Sequence, residues 1–227
     1  MSSPRTLRSQ KRVAIVIANP AVSTTSGWPV GFWWSELTHP YFEFIDRGYA
    51  VEIFSPKVGF ESLPHLAALV DNTKPVTALA VDAFDAIVVA GGQSPMFTFD
   101  KELELHRRFV EFYTTGKIAA VLCHGVAILR YASLPNGDYL AKGKTVTGFA
   151  NVEEDYADNV VWQMGLLPRD KHVMPWRVED ELKKIGANYI QVGAWKGFAV
   201  RDGNLITGQQ NFSGGETARA VVAALGE

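Results

Sequence analysis

Short apolar runs rich in Val and Ile, recurring between stretches of helical spacing, constrain this chain more than any other feature. Residues 13–18, 50–55, 86–90 and 119–122 each form such a run and each ends at small or polar residues. Runs of this length are too short for helices. Their continuous apolar character fits strands covered on both faces, the signature of a parallel sheet. Residues 36–47 and 101–115 lie between them with apolar side chains at helical spacing, so strand and helix alternate and crossover helices cover both faces of the sheet.

The second half continues this order less regularly. Residues 144–147 read as a strand, 153–164 as a helix after a turn, and 178–186 as a helix closed by glycine. Residues 199–201 and 205–207 flank Asp202-Gly203, a hairpin signal, and a last helix spans 215–225. Residues 1–10 read as a flexible tail, and 11–227 as one domain without internal repeat or linker.

With 47% hydrophobic and 20% charged residues, the chain can bury a large core beneath a solvated surface. A net charge of −2 supplies no basic field for a nucleic-acid backbone. No run is long enough to span a membrane, so neither nucleic acid nor membrane is an expected partner. A single cysteine excludes an internal disulfide and favours a reducing cytoplasm. His65, His106 and His172 are scattered without ligand spacing, and His39 reads as a helix-surface residue, so no metal site is expected.

In an open parallel sheet, ligands bind beyond the carboxyl ends of the strands. Three segments sit there: 19–36, Gly91-Gly92-Gln93-Ser94, and Cys123-His124-Gly125. The last is the sharpest signal, because 119–122 runs directly into Cys123 and 126–130 continues with helical character. A strand, tight turn and helix would lift the sulfur above the sheet and turn backbone N–H groups toward one point. The helix N-terminus is expected to lower the Cys123 pKa. His124 is placed to carry or orient a proton. Gly91 and Gly92, after another buried strand, can offer N–H groups to an anionic intermediate.

These residues resemble the ThiJ/PfpI superfamily of the class I glutamine amidotransferase-like fold, and in particular its branch of heat-shock chaperones that are glutathione-independent glyoxalases. The resemblance runs from Lys11 to the last helix. It is carried by Glu36-Leu37-Thr38-His39-Pro40, Gly91-Gly92-Gln93-Ser94-Pro95-Met96-Phe97, Ala120-Val121-Leu122-Cys123-His124-Gly125, Thr147-Gly148-Phe149-Ala150-Asn151-Val152-Glu153-Glu154 and Asp202-Gly203-Asn204-Leu205-Ile206-Thr207-Gly208-Gln209.

The resemblance implies a flavodoxin-like three-layer α/β sandwich with a mainly parallel sheet and a small hairpin. It also implies a nucleophile at Cys123, a partner histidine at His124, a buried acid at Glu36 and an acid supporting the histidine at Glu154. Gly91, Gly92, Gly125 and Gln93 would form the oxyanion and substrate-binding wall. A Glu36 carboxyl rimmed by Trp28, Trp33 and Trp34 would be desolvated and its pKa raised.

Two segments depart from the branch. Gln93-Ser94 stands where His-Gly is usual, and Gln209-Gln210-Asn211-Phe212 where Asn-Pro is usual. The late histidine of amidotransferases has no counterpart in the second segment, which disfavours glutamine hydrolysis. The expected activity is conversion of a small 2-oxoaldehyde, such as methylglyoxal to lactate, without a cofactor. A holdase chaperone or thiol-based stress sensor is the alternative, and a homodimer is a family expectation.

Overall fold

The computed structural model describes residues 10–56, 70 and 73–226. The expected tail 1–10 lies outside the described residues except for Gln10, which is exposed, and His65 also lies outside them. The elements in chain order are β1 (Arg12–Val16), β2 (Ala21–Val22), β3 (Pro29–Val30), α1 (Trp34–Ile45), β4 (Ala50–Ser55), β5 (Lys74–Pro75), β6 (Ala86–Val89), α2 (Pro95–Thr98), α3 (Leu103–Thr114) and β7 (Ile118–Leu122). After a 3₁₀ helix over Cys123–Arg130 come β8 (Thr145–Val146), α4 (Asn151–Gln163), α5 (Val178–Lys184), β9 (Asn188–Tyr189), β10 (Ala199–Asp202), β11 (Leu205–Gly208) and α6 (Gly214–Ala224).

Seven strands form the main sheet in the order β10-β11-β7-β6-β1-β4-β5. Every pairing in it is parallel except β10 with β11. The Asp202-Gly203 hairpin is therefore the edge of the main sheet, with β11 bridging it to β7. Two small sheets lie apart: β2 pairs antiparallel with β3, and β8 parallel with β9.

The two-residue period of the strands divides the core. Val13 and Ile15 of β1, Ala86 and Val88 of β6, and Ala120 and Leu122 of β7 face Leu37 and Phe44 of α1 and Ala218, Val221 and Val222 of α6. Their alternates, among them Ala14, Val16, Ile87, Val89 and Val121, face Leu105, Phe109 and Phe112 of α3 and Val178 and Leu182 of α5. The result is the flavodoxin-like sandwich, two apolar layers with the sheet between them.

At the carboxyl ends of β6 and β7 the sheet gives way to glycine turns. A Cβ added to Gly91 would lie 2.8 Å from the His124 and Gly125 nitrogens, and one on Gly125 would lie 2.7 Å from the Ala90 carbonyl oxygen. The turns after β6 and β7 thus approach closer than any side chain allows. This proximity brings the cysteine to the glycine pair.

Candidate active site

Cys123 sits at φ 54°, one of two non-glycine residues with positive φ among those described. A left-handed residue between a buried strand and a tight helix is the strained elbow that presents a side chain above a sheet. The continuation is a 3₁₀ helix in which residues 123–129 are all buried. Cys123 itself is only 3% exposed, yet it forms part of the floor of a cleft.

Glu36 reaches the same point from the other side. It lies in the first turn of α1, on the buried stripe of Glu36, Leu37, Pro40 and Phe44, so the periodicity that anchors the helix also buries the carboxyl. Its Oε2 accepts the Gly91 N–H at 2.7 Å, while Oε1 has no hydrogen-bond partner among the described residues. Burial pushes the Glu36 pKa up to about 8, against the opposing hydrogen bonds from Cys123 and the Gly91 amide.

The thiol behaves differently from the sequence expectation. Burial, followed by repulsion from and hydrogen bonding with Glu36, raises the Cys123 pKa well above its usual value. The backbone N–H groups of His124 and Gly92 pull the other way and are outweighed. The expectation of a pKa lowered by the helix N-terminus is thus corrected: desolvation and a neighbouring acid dominate. Two acids at one buried point cannot both ionise cheaply, and the pair holds at least one proton at neutral pH.

The geometry also sorts the glycines. Gly91 gives its N–H to Glu36, whereas Gly92 turns its N–H toward the sulfur together with His124. Gly92 has φ +92°, and a Cβ there would come within 2.4 Å of the Phe32 Cα. Gly125 serves close packing beneath the turn. Gln93 is exposed and lines the cleft.

His124 Nδ1 lies 3.7 Å from the Cys123 sulfur, and its Nε2 lies 2.8 Å from Glu154 Oε1. Glu154 occupies the first turn of α4, a helix whose start is fixed when the Glu153 carboxylate accepts the Ala150 N–H at 2.9 Å. Phe149 stacks on the His124 ring at 4.1 Å and further fixes its plane. Cysteine, histidine and carboxylate therefore stand in line, with Glu36 on the sulfur's opposite flank.

The cleft has a volume of about 840 Å³ and is walled by Phe32, Trp33, Phe149, Tyr156, Trp195 and Phe212. Of the three tryptophans expected at the rim, only Trp33 is there. Trp28 and Phe97, partly buried, pack against the core on the α3 face, and Trp34, also partly buried, against the core on the α1 face. Asn211 and Phe212, where the sequence departs from the branch, line the cleft, while Gln209 and Gln210 are buried behind it. Tyr156 and Trp195 were not anticipated. Tyr156 follows Glu153 by three positions on α4, a spacing that offered a signal; Trp195 lies in an irregular loop that offered none beyond its neighbouring glycines.

His39 is exposed on α1, His106 bonds to the Phe99 carbonyl oxygen, and His172 pairs with Asp158, all away from the cysteine. Among the described residues no group of three or more His, Cys, Asp or Glu could hold a metal ion. Nor, among them, is any helix long and apolar enough to cross a membrane.

A mainly parallel sheet carrying a strained cysteine turn, with a buried glutamate at its flank, defines the class of α/β proteins with a thiol at a strand-to-helix elbow. The chain belongs to the DJ-1/PfpI family, whose model matches residues 31–163. Glyoxalase 3 of Candida albicans is 26% identical over 223 residues, covering 88% of this chain and 92% of that protein. Glutathione-independent glyoxalase HSP31 of Saccharomyces cerevisiae is 31% identical over 148 residues, covering 63% and 59%. Among solved structures, the Rapid Encystment Protein 24 KDa of Francisella tularensis superposes with a TM-score of 0.82 at 28% identity, covering 96% of this chain and all of that one. The glyoxalase III of Candida albicans shares the fold with a TM-score of 0.78 at 24% identity, covering 94% and 97%.

Proposed function

We propose that this protein is a glutathione-independent glyoxalase that converts a 2-oxoaldehyde to the corresponding 2-hydroxy acid. The observation that carries the reading is the fully buried Glu36 carboxyl beside the Cys123 thiol, at the end of a cleft. The names of the relatives from Candida albicans and Saccharomyces cerevisiae support the same chemistry.

As sulfur attacks the aldehyde carbon, the thiol proton passes to the Glu36 carboxylate and on to the new oxygen, giving a hemithioacetal. The N–H groups of Gly92 and His124 stabilise charge developing beside the sulfur. Glu36 then takes the proton from the former aldehyde carbon, forms an enediol, and returns a proton to the neighbouring carbon. His124, oriented by Glu154, gives a proton to the second oxygen as the enediol forms and takes one from the first oxygen as the thioester forms. Water displaces sulfur from the resulting thioester, releasing the hydroxy acid and restoring the thiol. One carbon is oxidised and its neighbour reduced, so the balance closes with water alone.

The test is lactate formation from methylglyoxal by purified protein without glutathione. Absence of lactate while Cys123 is free and can be alkylated would sink the reading. The same sulfur would serve removal of early glyoxal adducts from amines; scavenging free aldehyde abolishes apparent repair if only free aldehyde is consumed.

The exposed Trp33, Tyr156 and Phe212 favour a second reading, a holdase that binds unfolded chains. Cys123→Ala separates the two: aggregation suppression persists while turnover disappears. The sole cysteine supports a reducing cytoplasm, and light scattering tests for the homodimer expected from the family.

A further inference from the structure

We infer that the cleft recognises a neutral aromatic substituent, so that the preferred substrate is an aryl-substituted 2-oxoaldehyde, with Trp195 as the residue that sets this preference. The inference rests on the glyoxalase reading for its chemistry, but three independent features of the cleft carry the specificity.

The first is size. A cleft of about 840 Å³ falls in the range that encloses drug-sized ligands and far exceeds a three-carbon aldehyde. The second is charge: among the described residues its lining includes Glu36 and His124 but no Lys or Arg. A carboxylate or phosphate on the substituent would leave water without gaining a cation, a costly exchange.

The third is a continuous wall of rings. His124 stacks on Phe149, Phe149 meets Trp195 edge-on at 6.0 Å, and Trp195 meets Tyr156 edge-on at 5.6 Å. The wall thus leads from the sulfur's partner to the rim, where Tyr156 is 58% exposed and Phe212, elsewhere on the rim, 56%. Large aromatics gathered in water around one opening mark a binding surface. A planar substituent can stack against them while the aldehyde lies at Cys123.

Trp195 is held there at a cost. Its φ of 59° is left-handed, unfavourable for a bulky residue. A buried clamp maintains it: the Trp195 N–H donates to Glu153 Oε1 at 3.0 Å, and Gln209 Nε2 donates to that oxygen at 3.1 Å and to the Gly193 carbonyl oxygen at 2.8 Å. Gln209 in turn accepts the Val192 N–H at 3.1 Å. Glu153 and Gln209 are positioning residues for this loop.

The overall conversion is that of an aryl 2-oxoaldehyde and water to an aryl 2-hydroxy acid, by the steps already given. No external oxidant or reductant is needed.

The test compares kcat/KM for methylglyoxal, phenylglyoxal and 4-carboxyphenylglyoxal. Wild type is expected to favour phenylglyoxal over methylglyoxal by about tenfold, chiefly through KM, and the carboxylate should erase the gain. Trp195→Ala and, independently, Phe212→Ala should each lower the phenylglyoxal-to-methylglyoxal ratio severalfold. Equal or better use of methylglyoxal by wild type, or a ratio unmoved in both variants, overturns the inference. A binding arm is independent of turnover. Unreactive acetophenone should slow alkylation of Cys123 at concentrations where acetone does not; no protection overturns aromatic recognition even if methylglyoxal is converted. Protection without turnover of any aldehyde sustains aromatic recognition and removes the glyoxalase reading.

Discussion

The floor and the rim of the cleft are built on opposite principles. At the floor, Gly91, Gly92 and Gly125 allow backbones to meet at distances no Cβ tolerates, and Glu36, Cys123 and His124 are buried. At the rim, Trp33, Tyr156 and Phe212 stand more than half exposed on separate elements. Reaction chemistry needs groups fixed to a fraction of an ångström, whereas apolar recognition tolerates displacement. Substitutions at the floor should therefore act on kcat, and those at the rim on KM.

The largest effect expected is from Cys123→Ala, which should lower hydroxy-acid formation by about a thousandfold or more while leaving the folded state intact by circular dichroism. Retained turnover would place the nucleophile elsewhere.

Glu36→Gln follows, with a loss of about a hundredfold to ten-thousandfold in kcat. Removing the acid also removes one cause of the raised Cys123 pKa, so the midpoint of alkylation against pH should move downward even as turnover falls. The same change should appear in stability. A carboxyl whose pKa rises from its ordinary 4.5 to about 8 on folding favours the folded state most below 4.5 and loses that contribution as pH climbs to 8. Melting temperatures across this window should fall less steeply for Glu36→Gln than for wild type.

Gly92→Ala should cost about a hundredfold in kcat, because relieving a 2.4 Å approach to Phe32 must shift the turn beside the sulfur. Glu154→Gln is milder, about tenfold, since His124 remains but loses its anionic partner. The smallest change belongs to Gln93→Ala. An exposed residue on the wall should alter KM by about twofold and leave kcat in place; a large loss of kcat there would break the division between floor and rim.

Much of the floor was legible in the sequence, since each of its parts follows an apolar run: Gly91 and Gly92 after β6, Cys123 after β7. Glu36 was singled out by the family resemblance, and the rise in its pKa expected from desolvation agrees with its burial on the inner stripe of α1. The Cys123 pKa was misread because the helix N-terminus was weighted above burial, which is the largest cause of the rise, with the Glu36 carboxyl adding to it. The rim was harder to read. Trp28 and Trp34 pack against the core, and Trp195 enters through a clamp between Glu153 and Gln209, residues 56 positions apart. Such pairings have no local period. Of the small sheets, β8 falls within the run 144–147 read as a strand, whereas β2, β3 and β9, each two residues long, were similarly hidden.

The close approach of Gly92 to Phe32 ties the fate of one wall to the cysteine turn. The Ser94 N–H also donates to the Gly31 carbonyl oxygen at 3.0 Å, so the segment carrying Phe32 and Trp33 is fastened to the glycine pair. Lineages acquiring new substrates have little latitude on that side, where an altered main chain would disturb the sulfur. Diversification should instead accumulate across the opening, at Trp195 and Phe212, leaving an inherited wall opposite an adaptable one.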